Sequence, residues 1–182
     1  MNEVAATDRY NWDAQARNWQ KEPPGNWTMW LIIADRRLGK TRAGAEWVCK
    51  QVETGKRNFI ALAGRDMAYV RNIMIEGESG ILRCSSSRFR PRYEPSKRHL
   101  IWPNGAIATI YAANEIDFRI RGTYHDGFLG DGIDTWQEST WDLLLQSLRL
   151  GNNPRGVVTA ENSDNDLVKK LMELPSTHVT EA

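Results

Sequence analysis

Apolar residues fall along the chain in two rhythms, short unbroken runs and longer stretches with helical spacing, and the two alternate. Met29–Ala34 (MWLIIA) is a bounded apolar run, as expected of a strand buried on both faces. From about Lys40 to Glu53 the apolar positions Ala43, Trp47, Val48 and Val52 recur at near-helical intervals, and Gly55 stops the pattern. Asn58–Ala63 predicts a second buried strand and Asp66–Glu76 a second helix with Met67, Val70 and Met74 inward. Farther along, His99–Trp102 and Ala106–Tyr111 flank Pro103-Asn104-Gly105, the signature of an antiparallel hairpin. Gly127–Gly130 predicts a strand. Trp141, Leu144, Leu145 and Leu148 mark a helix over Glu138–Leu150, for which Thr135 and Glu138 predict a capping box. Gly156–Ala160 reads as a strand, Asp164–Glu173 as a helix and His178–Thr180 as a last strand. Ahead of all these, Asn11–Gln20 predicts one short helix before the breaker Pro23-Pro24-Gly25. Buried strands alternating with helices predict an α/β fold: a mostly parallel sheet between helical layers, three-layer α/β/α.

Composition narrows the reading. The 182 residues suit one α/β core, here a lead-in segment, residues 1–28, and a domain over residues 29–182. Hydrophobic residues make up 41% and charged residues 26%, so a core can form. Lys and Arg number 24 against 23 Asp and Glu, so any contact with nucleic acid must come from a local patch. One such patch is the run from Arg83 to Arg98, where Arg83, Arg88, Arg90, Arg92, Lys97 and Arg98 face the single acid Glu94. Sequence-independent phosphate contacts and a solvated loop fit it equally. Two cysteines exclude a disulfide framework, Cys49 reads as packing, and no Cys/His spacing matches a zinc site. An intracellular protein without a membrane span or signal peptide is expected. The three histidines lie apart from any nucleophile signature, so no triad is expected.

Chemistry concentrates in Ala34-Asp35-Arg36-Arg37-Leu38-Gly39-Lys40-Thr41, between the first strand and the first long helix. A loop there can bind phosphate through outward-pointing helix N–H groups. In G-x-x-x-x-G-K-[ST], glycine lets the backbone approach, lysine reaches the terminal phosphates and the hydroxyl can ligate Mg²⁺. Gly39, Lys40 and Thr41 fit, while the first glycine is Ala34. A nucleoside triphosphate site is expected. Gly-Lys-Thr merely capping a helix is the weaker alternative.

Trp27-Thr28-Met29-Trp30-Leu31-Ile32-Ile33-Ala34 followed by Gly39-Lys40-Thr41-Arg42-Ala43-Gly44-Ala45-Glu46-Trp47-Val48 resembles the ATPase domain of the large terminase subunit of tailed bacteriophages and gene-transfer agents. The resemblance resumes at Arg119-Ile120-Arg121-Gly122, at Asp131, and from Trp141 through Leu150 to Val157-Val158-Thr159, so it covers most of the chain. It implies a motor that hydrolyses ATP with Mg²⁺ to drive double-stranded DNA into a capsid, in the host cytoplasm. By resemblance the partners are a portal, a small terminase subunit and a homo-oligomeric ring of like chains.

The resemblance also implies site residues. Ala34, Arg36, Arg37, Leu38, Gly39, Lys40, Thr41, Arg42 and Gln20 would bind nucleotide, Gln20 where such proteins often contact adenine. Lys40, Asp131 and Arg36 would serve catalysis, Thr41 and Asp131 would hold Mg²⁺, and Thr159 would couple the γ-phosphate to DNA-gripping elements. Arg119 or Arg121 would reach a neighbour's nucleotide only as an arginine finger. Asp35, Gly132 and Glu161 depart from the family pattern at chemistry positions. Gly132 stands where the family has the glutamate that polarises water, and Asp134 and Asp126 are the carboxylates considered in its place. Two readings follow, a working motor domain and a nucleotide-binding or assembly module with impaired hydrolysis. A helicase-like P-loop protein explains the first motif but not the tryptophan-rich flanks. The family's nuclease domain has no counterpart in these 182 residues, so no cutting is expected of them.

Overall fold

The computed structural model describes residues 11–115 and 119–182. One eight-stranded sheet forms its centre. The strands are β1 (Met29–Ile33), β2 (Phe59–Gly64), β3 (Arg92–Glu94), β4 (His99–Ile101), β5 (Ile107–Ala112), β6 (Gly127–Asp131), β7 (Arg155–Ala160) and β8 (Thr177–Glu181). Their order is β3-β4-β5-β2-β6-β7-β1-β8. All neighbours run parallel except β3–β4 and β4–β5. The α/β expectation holds, and the hairpin at Pro103–Gly105 is antiparallel as its turn residues require. β3 was not legible in the sequence, because its three residues Arg92, Tyr93 and Glu94 carry no apolar alternation.

Among the described residues the helices are α1 (Trp12–Gln15), α2 (Lys40–Glu53), α3 (Met67–Tyr69), α4 (Ile81–Cys84), α5 (Glu138–Ser147) and α6 (Asp166–Met172). Four expectations change. The helix over Asn11–Gln20 is broken into α1 and a 3₁₀ turn, Asn18–Gln20, with Ala16 and Arg17 extended between them. Beyond α3 the chain widens into a π-helix over Val70–Ile75, which turns Val70, Met74 and Ile75 inward together. The capping box at Thr135 does not form: Thr135 ends a 3₁₀ turn and donates to the Gly132 carbonyl, and Gln137 is the cap of α5. That helix stops at Ser147, because Leu148 leaves it to bridge His125.

Central strands are apolar on both faces because helices cover both. On one side Trp30, Ile32, Ile60 and Leu62 meet α2 through Trp47, Val48 and Val52. On the other Leu31, Ala61, Phe128 and Val158 meet Trp141 and Leu144 of α5 and Leu167 and Leu171 of α6. Burying a tryptophan such as Trp30 removes roughly 200 Å² from water, about 5 kcal/mol at most. Its indole N–H donates to Thr180 of β8 at 2.9 Å, which keeps a polar atom satisfied inside that core. Among the described residues no helix is long and apolar enough to cross a membrane.

His125 lies in the second core, 3% exposed, with Nδ1 3.0 Å from the Ser147 hydroxyl and Nε2 3.3 Å from the Tyr111 hydroxyl. Burial pushes its pKa down from 6.5 to about 4. Between those values the unfolded chain binds a proton that the native state refuses, so stability rises with pH there and is lost as pH falls from 6.5 toward 4. At about 1.4 kcal/mol per unit the loss is on the order of 3 kcal/mol. Urea unfolding at pH 7 and pH 4.5 is expected to show the parent losing about 2–3 kcal/mol more than His125→Gln.

Candidate nucleotide site

Parallel pairing sets the carboxyl ends of β1, β7 and β6 side by side, with Ile33 opposite Ala160 and Gly130 opposite Val158. Whatever follows those strands therefore meets at one edge. After β1 comes the loop Ala34–Gly39, then α2, whose first turn carries Lys40 and Thr41. Gly39 caps the helix at φ 97°, a left-handed conformation that suits glycine. A Cβ there would sit 2.6 Å from Gln20 Nε2. Arg37 also takes positive φ, 65°, an uncommon conformation for a side chain of that size.

The centre of the site is Asp131, at the end of β6 and 1% exposed. Its carboxylate accepts from the Thr41 hydroxyl at 2.8 Å, from the Tyr69 hydroxyl at 2.8 Å and from the Thr159 hydroxyl. Thr159 also accepts the Gly132 N–H at 3.0 Å. Burial, and then the neighbouring Asp131 carboxylate, raises the Tyr69 pKa, so its hydroxyl remains a donor. Tyr69 escaped the sequence reading. It lies at the end of α3, and only the turn after β2, with Asp66 capping that helix through the Tyr69 N–H, brings it back to the strand end.

Two cations, Lys40 and Arg36, stand beside this cluster. Lys40 Nζ, 9% exposed at its side chain, donates to the Asp35 carbonyl at 3.3 Å and to Glu161 Oε1 at 3.2 Å. Arg36 Nε donates to Glu161 Oε2 at 3.0 Å. Desolvation is the largest single effect on Glu161 and raises its pKa, but the hydrogen bonds and charges of Lys40 and Arg36 together outweigh it and hold the carboxyl below its ordinary value. That carboxylate stabilises the ion pairs above its unfolded pKa, and the benefit is lost as pH falls through the lower, native one.

Of the other expected residues, Gln20, Arg37 and Leu38 lie at the loop, and Arg42 turns away from it. Gln20 is buried and does not face solvent: Nε2 donates to the Gly39 carbonyl at 3.1 Å and Oε1 accepts the Arg17 N–H at 3.0 Å. Arg17 in turn donates to the Leu38 carbonyl at 3.1 Å, so the lead-in segment braces the loop. Arg42 turns along α2 to Glu46 at 2.5 Å and lies over the Trp12 ring. Arg37 is exposed at the loop, with Leu38 half-buried behind it. Asp126 caps the amino end of β2 through the Asn58 and Phe59 N–H groups, so it stands at the opposite sheet edge. Arg121 lines a cavity with Leu143, Gln146 and Arg149 beside the last turns of α5, away from the loop. In the basic run, Arg92 and Lys97 both pair with Glu94 and Arg98 pairs with Glu115. Phe89 and Tyr93 of that run pack against the first core.

A family model for the terminase large subunit, T4likevirus-type, N-terminal, matches residues 31–173. The chain belongs to this family. No curated protein matches it. Among solved structures the terminase domain is similar to the large terminase of a thermophilic bacteriophage, with TM-score 0.69 at 15% identity over 97% of this chain and 44% of that one. It is also similar to the Thermus phage P74-26 large terminase ATPase domain, with TM-score 0.69 at 11% identity over 87% and 76%. The N-terminal domain of the DNA packaging ATPase from bacteriophage phi29 gives 0.64 at 10% identity over 96% of each chain. The first of these three proteins has also been solved with ATP-gamma-S and with ADP. At these identities the likeness is one of fold, and the terminase domain spans less than half the length of that first protein.

Thr159 is the hinge of the acidic cluster, so replacing it tests the geometry. Thr159→Val removes a donor to a buried carboxylate and the acceptor of the Gly132 N–H, and is expected to cost about 1–3 kcal/mol in denaturant unfolding. Thr159→Ser is expected to stay within about 1 kcal/mol of the parent, since it keeps the hydroxyl.

Proposed function

We propose that this domain binds Mg·ATP at the loop Ala34–Thr41 and serves as the ATPase part of a motor that moves double-stranded DNA into a capsid. The observation that carries this reading is the 2.8 Å contact between the Thr41 hydroxyl and Asp131, made across two elements distant in sequence. A hydroxyl and a carboxylate at that spacing suit a hard cation. Mg²⁺ is usually held by one or two protein oxygens together with substrate phosphates and water.

In this reading Gly39 lets the phosphates approach the backbone, and the N–H groups opening α2 face them with the positive end of the helix dipole. Lys40 and Arg36 neutralise the terminal phosphate oxygens. Thr41 and Asp131 would hold Mg²⁺, which when bound offsets charge on the phosphates. Thr159 touches Asp131 and Gly132 together, so a shift at the phosphate end would reach β7 through it. The support from relatives is that the thermophilic phage's large terminase, of the same fold, was solved with ATP-gamma-S and with ADP. Membership of a terminase large-subunit family supports DNA and packaging machinery as partners, and the reading takes that machinery to be a portal, a small terminase subunit and a ring of like chains in the host cytoplasm. Exposed Arg83, Arg88 and Arg90 offer backbone-phosphate contacts. A second reading, a module that binds nucleotide without turnover, is favoured by Gly132: glycine there can neither orient a water nor take its proton.

Calorimetry with Mg·ATP is expected to give saturable binding. Lys40→Ala is expected to weaken it by about 10–100-fold, the worth of one charged hydrogen bond of about 1.5–3 kcal/mol. At ATP near 100 times its Kd the parent is expected to gain about 2.7 kcal/mol of stability, seen as a raised Tm, and the variant less. Equal binding by parent and variant would place the nucleotide elsewhere.

A further inference from the structure

Gly132 is more than a missing side chain. It sits at φ 73°, and although a Cβ there would meet nothing within 4 Å, the left-handed backbone disfavours a glutamate at that point. A water-activating carboxylate at this site must come from another element. Asp126 is at the wrong edge of the sheet. Asp134 Oδ2 accepts the Asn162 N–H at 3.2 Å, and its Oδ1 is buried from solvent with no hydrogen-bond partner among the described residues. Asp35 meets Lys40 only through its main-chain carbonyl, and among the described residues its carboxylate makes no hydrogen bond or ion pair. Glu161 remains. It follows Ala160, whose carbonyl accepts the Ala34 N–H at 3.2 Å, so it emerges beside the first residue of the loop. Its side chain is 39% exposed, open to water, and stands 3.2 Å from the ammonium of Lys40.

On the basis of the nucleotide site proposed above, we infer that Glu161 is the carboxylate that takes the proton of the attacking water. An ammonium presents three donors at tetrahedral angles, so two acceptors each about 3 Å from one nitrogen lie about 5 Å apart, a gap that one water spans with two hydrogen bonds. With Glu161 Oε1 as one acceptor and a γ-phosphate oxygen as the other, a water between them lies next to the γ-phosphorus. Arg36 Nε on Oε2 at 3.0 Å keeps the carboxylate oriented and leaves the other guanidinium nitrogens for phosphate, while Lys40 keeps one donor on Oε1 and gives another to the γ-phosphate oxygen. In the step, the water oxygen bonds to the γ-phosphorus as Glu161 Oε1 accepts its proton. The bond from the γ-phosphorus to the β,γ-bridging oxygen breaks, its electron pair leaving with ADP. Inorganic phosphate departs, and Glu161 returns the proton to solvent.

The test compares the full chain with Glu161→Gln, which keeps shape and hydrogen bonding but cannot accept a proton. ATP affinity is read by calorimetry and phosphate release at saturating Mg·ATP with and without duplex DNA. Glu161→Gln is expected to bind ATP within about threefold of the parent or more tightly, while phosphate release falls by about 10²–10⁴-fold. Turnover by the variant within about threefold of the parent overturns the inference. So does loss of binding together with turnover, which would make Glu161 a prop of the loop, and so does a parent that binds ATP without releasing phosphate. A parent that does not bind ATP overturns the nucleotide reading as well, so calorimetry alone separates the two failures.

Discussion

A carboxylate that is 1% exposed is tolerable only if its oxygens are hydrogen-bonded, and Asp131 is held by hydroxyls from three elements, Thr41, Tyr69 and Thr159. Those hydroxyls come from the helix after the loop, the helix after β2 and the strand between β6 and β1. Removing a donor strands the charge, so the cluster ties the helices to the sheet as firmly as it defines the site. The same arrangement puts hydroxyl and carboxylate oxygens at the edge where the loop opens. Stability and prospective chemistry thus share one set of atoms.

Next to this buried acid lies an exposed one. Glu161 faces two cations, Lys40 and Arg36, that a phosphate would otherwise claim. The contrast in burial separates their parts: Asp131 is fixed by its surroundings, whereas Glu161 is free to exchange partners with solvent or ligand. Because Thr159 and Glu161 stand two residues apart at the end of β7, both acids are linked through one strand end. Any change at the lysine is therefore felt by the strand that also touches Asp131.

The loop itself is braced from outside the sheet. Gln20 and Arg17 bond the carbonyls of Gly39 and Leu38, and Trp12, Trp19 and Trp27 pack this segment against the first core. Gly39 is thereby held from two directions, by its own left-handed backbone and by the Gln20 amide, whose position leaves no room for a Cβ. The tryptophans that look scattered in sequence anchor the segment that does this.

Local chemistry was enough to read much of this domain. The run Met29–Ala34, the helical spacing after Lys40 and the turn at Pro103–Gly105 each express a preference that neighbours in sequence impose, and the structure keeps them. Gly39-Lys40-Thr41 was legible for the same reason, since a phosphate loop is a local motif, and Asp131 and Thr159 came from family resemblance. Tyr69, the bracing role of Gln20 and the ion pairs of Glu161 could not be read, because each depends on which strand ends lie side by side. Glu161 looked like a departure from pattern until the β1–β7 register set it against Lys40, and Asp126, considered in place of the glutamate missing at Gly132, lies at the far edge of the same sheet. The elements and the phosphate loop are thus properties of the chain alone, set by short-range sterics, periodicity and turn chemistry. Which carboxylates and hydroxyls share the site is a property of the folded sheet, because parallel strand order and register bring Lys40 and Glu161 together across 121 positions of sequence.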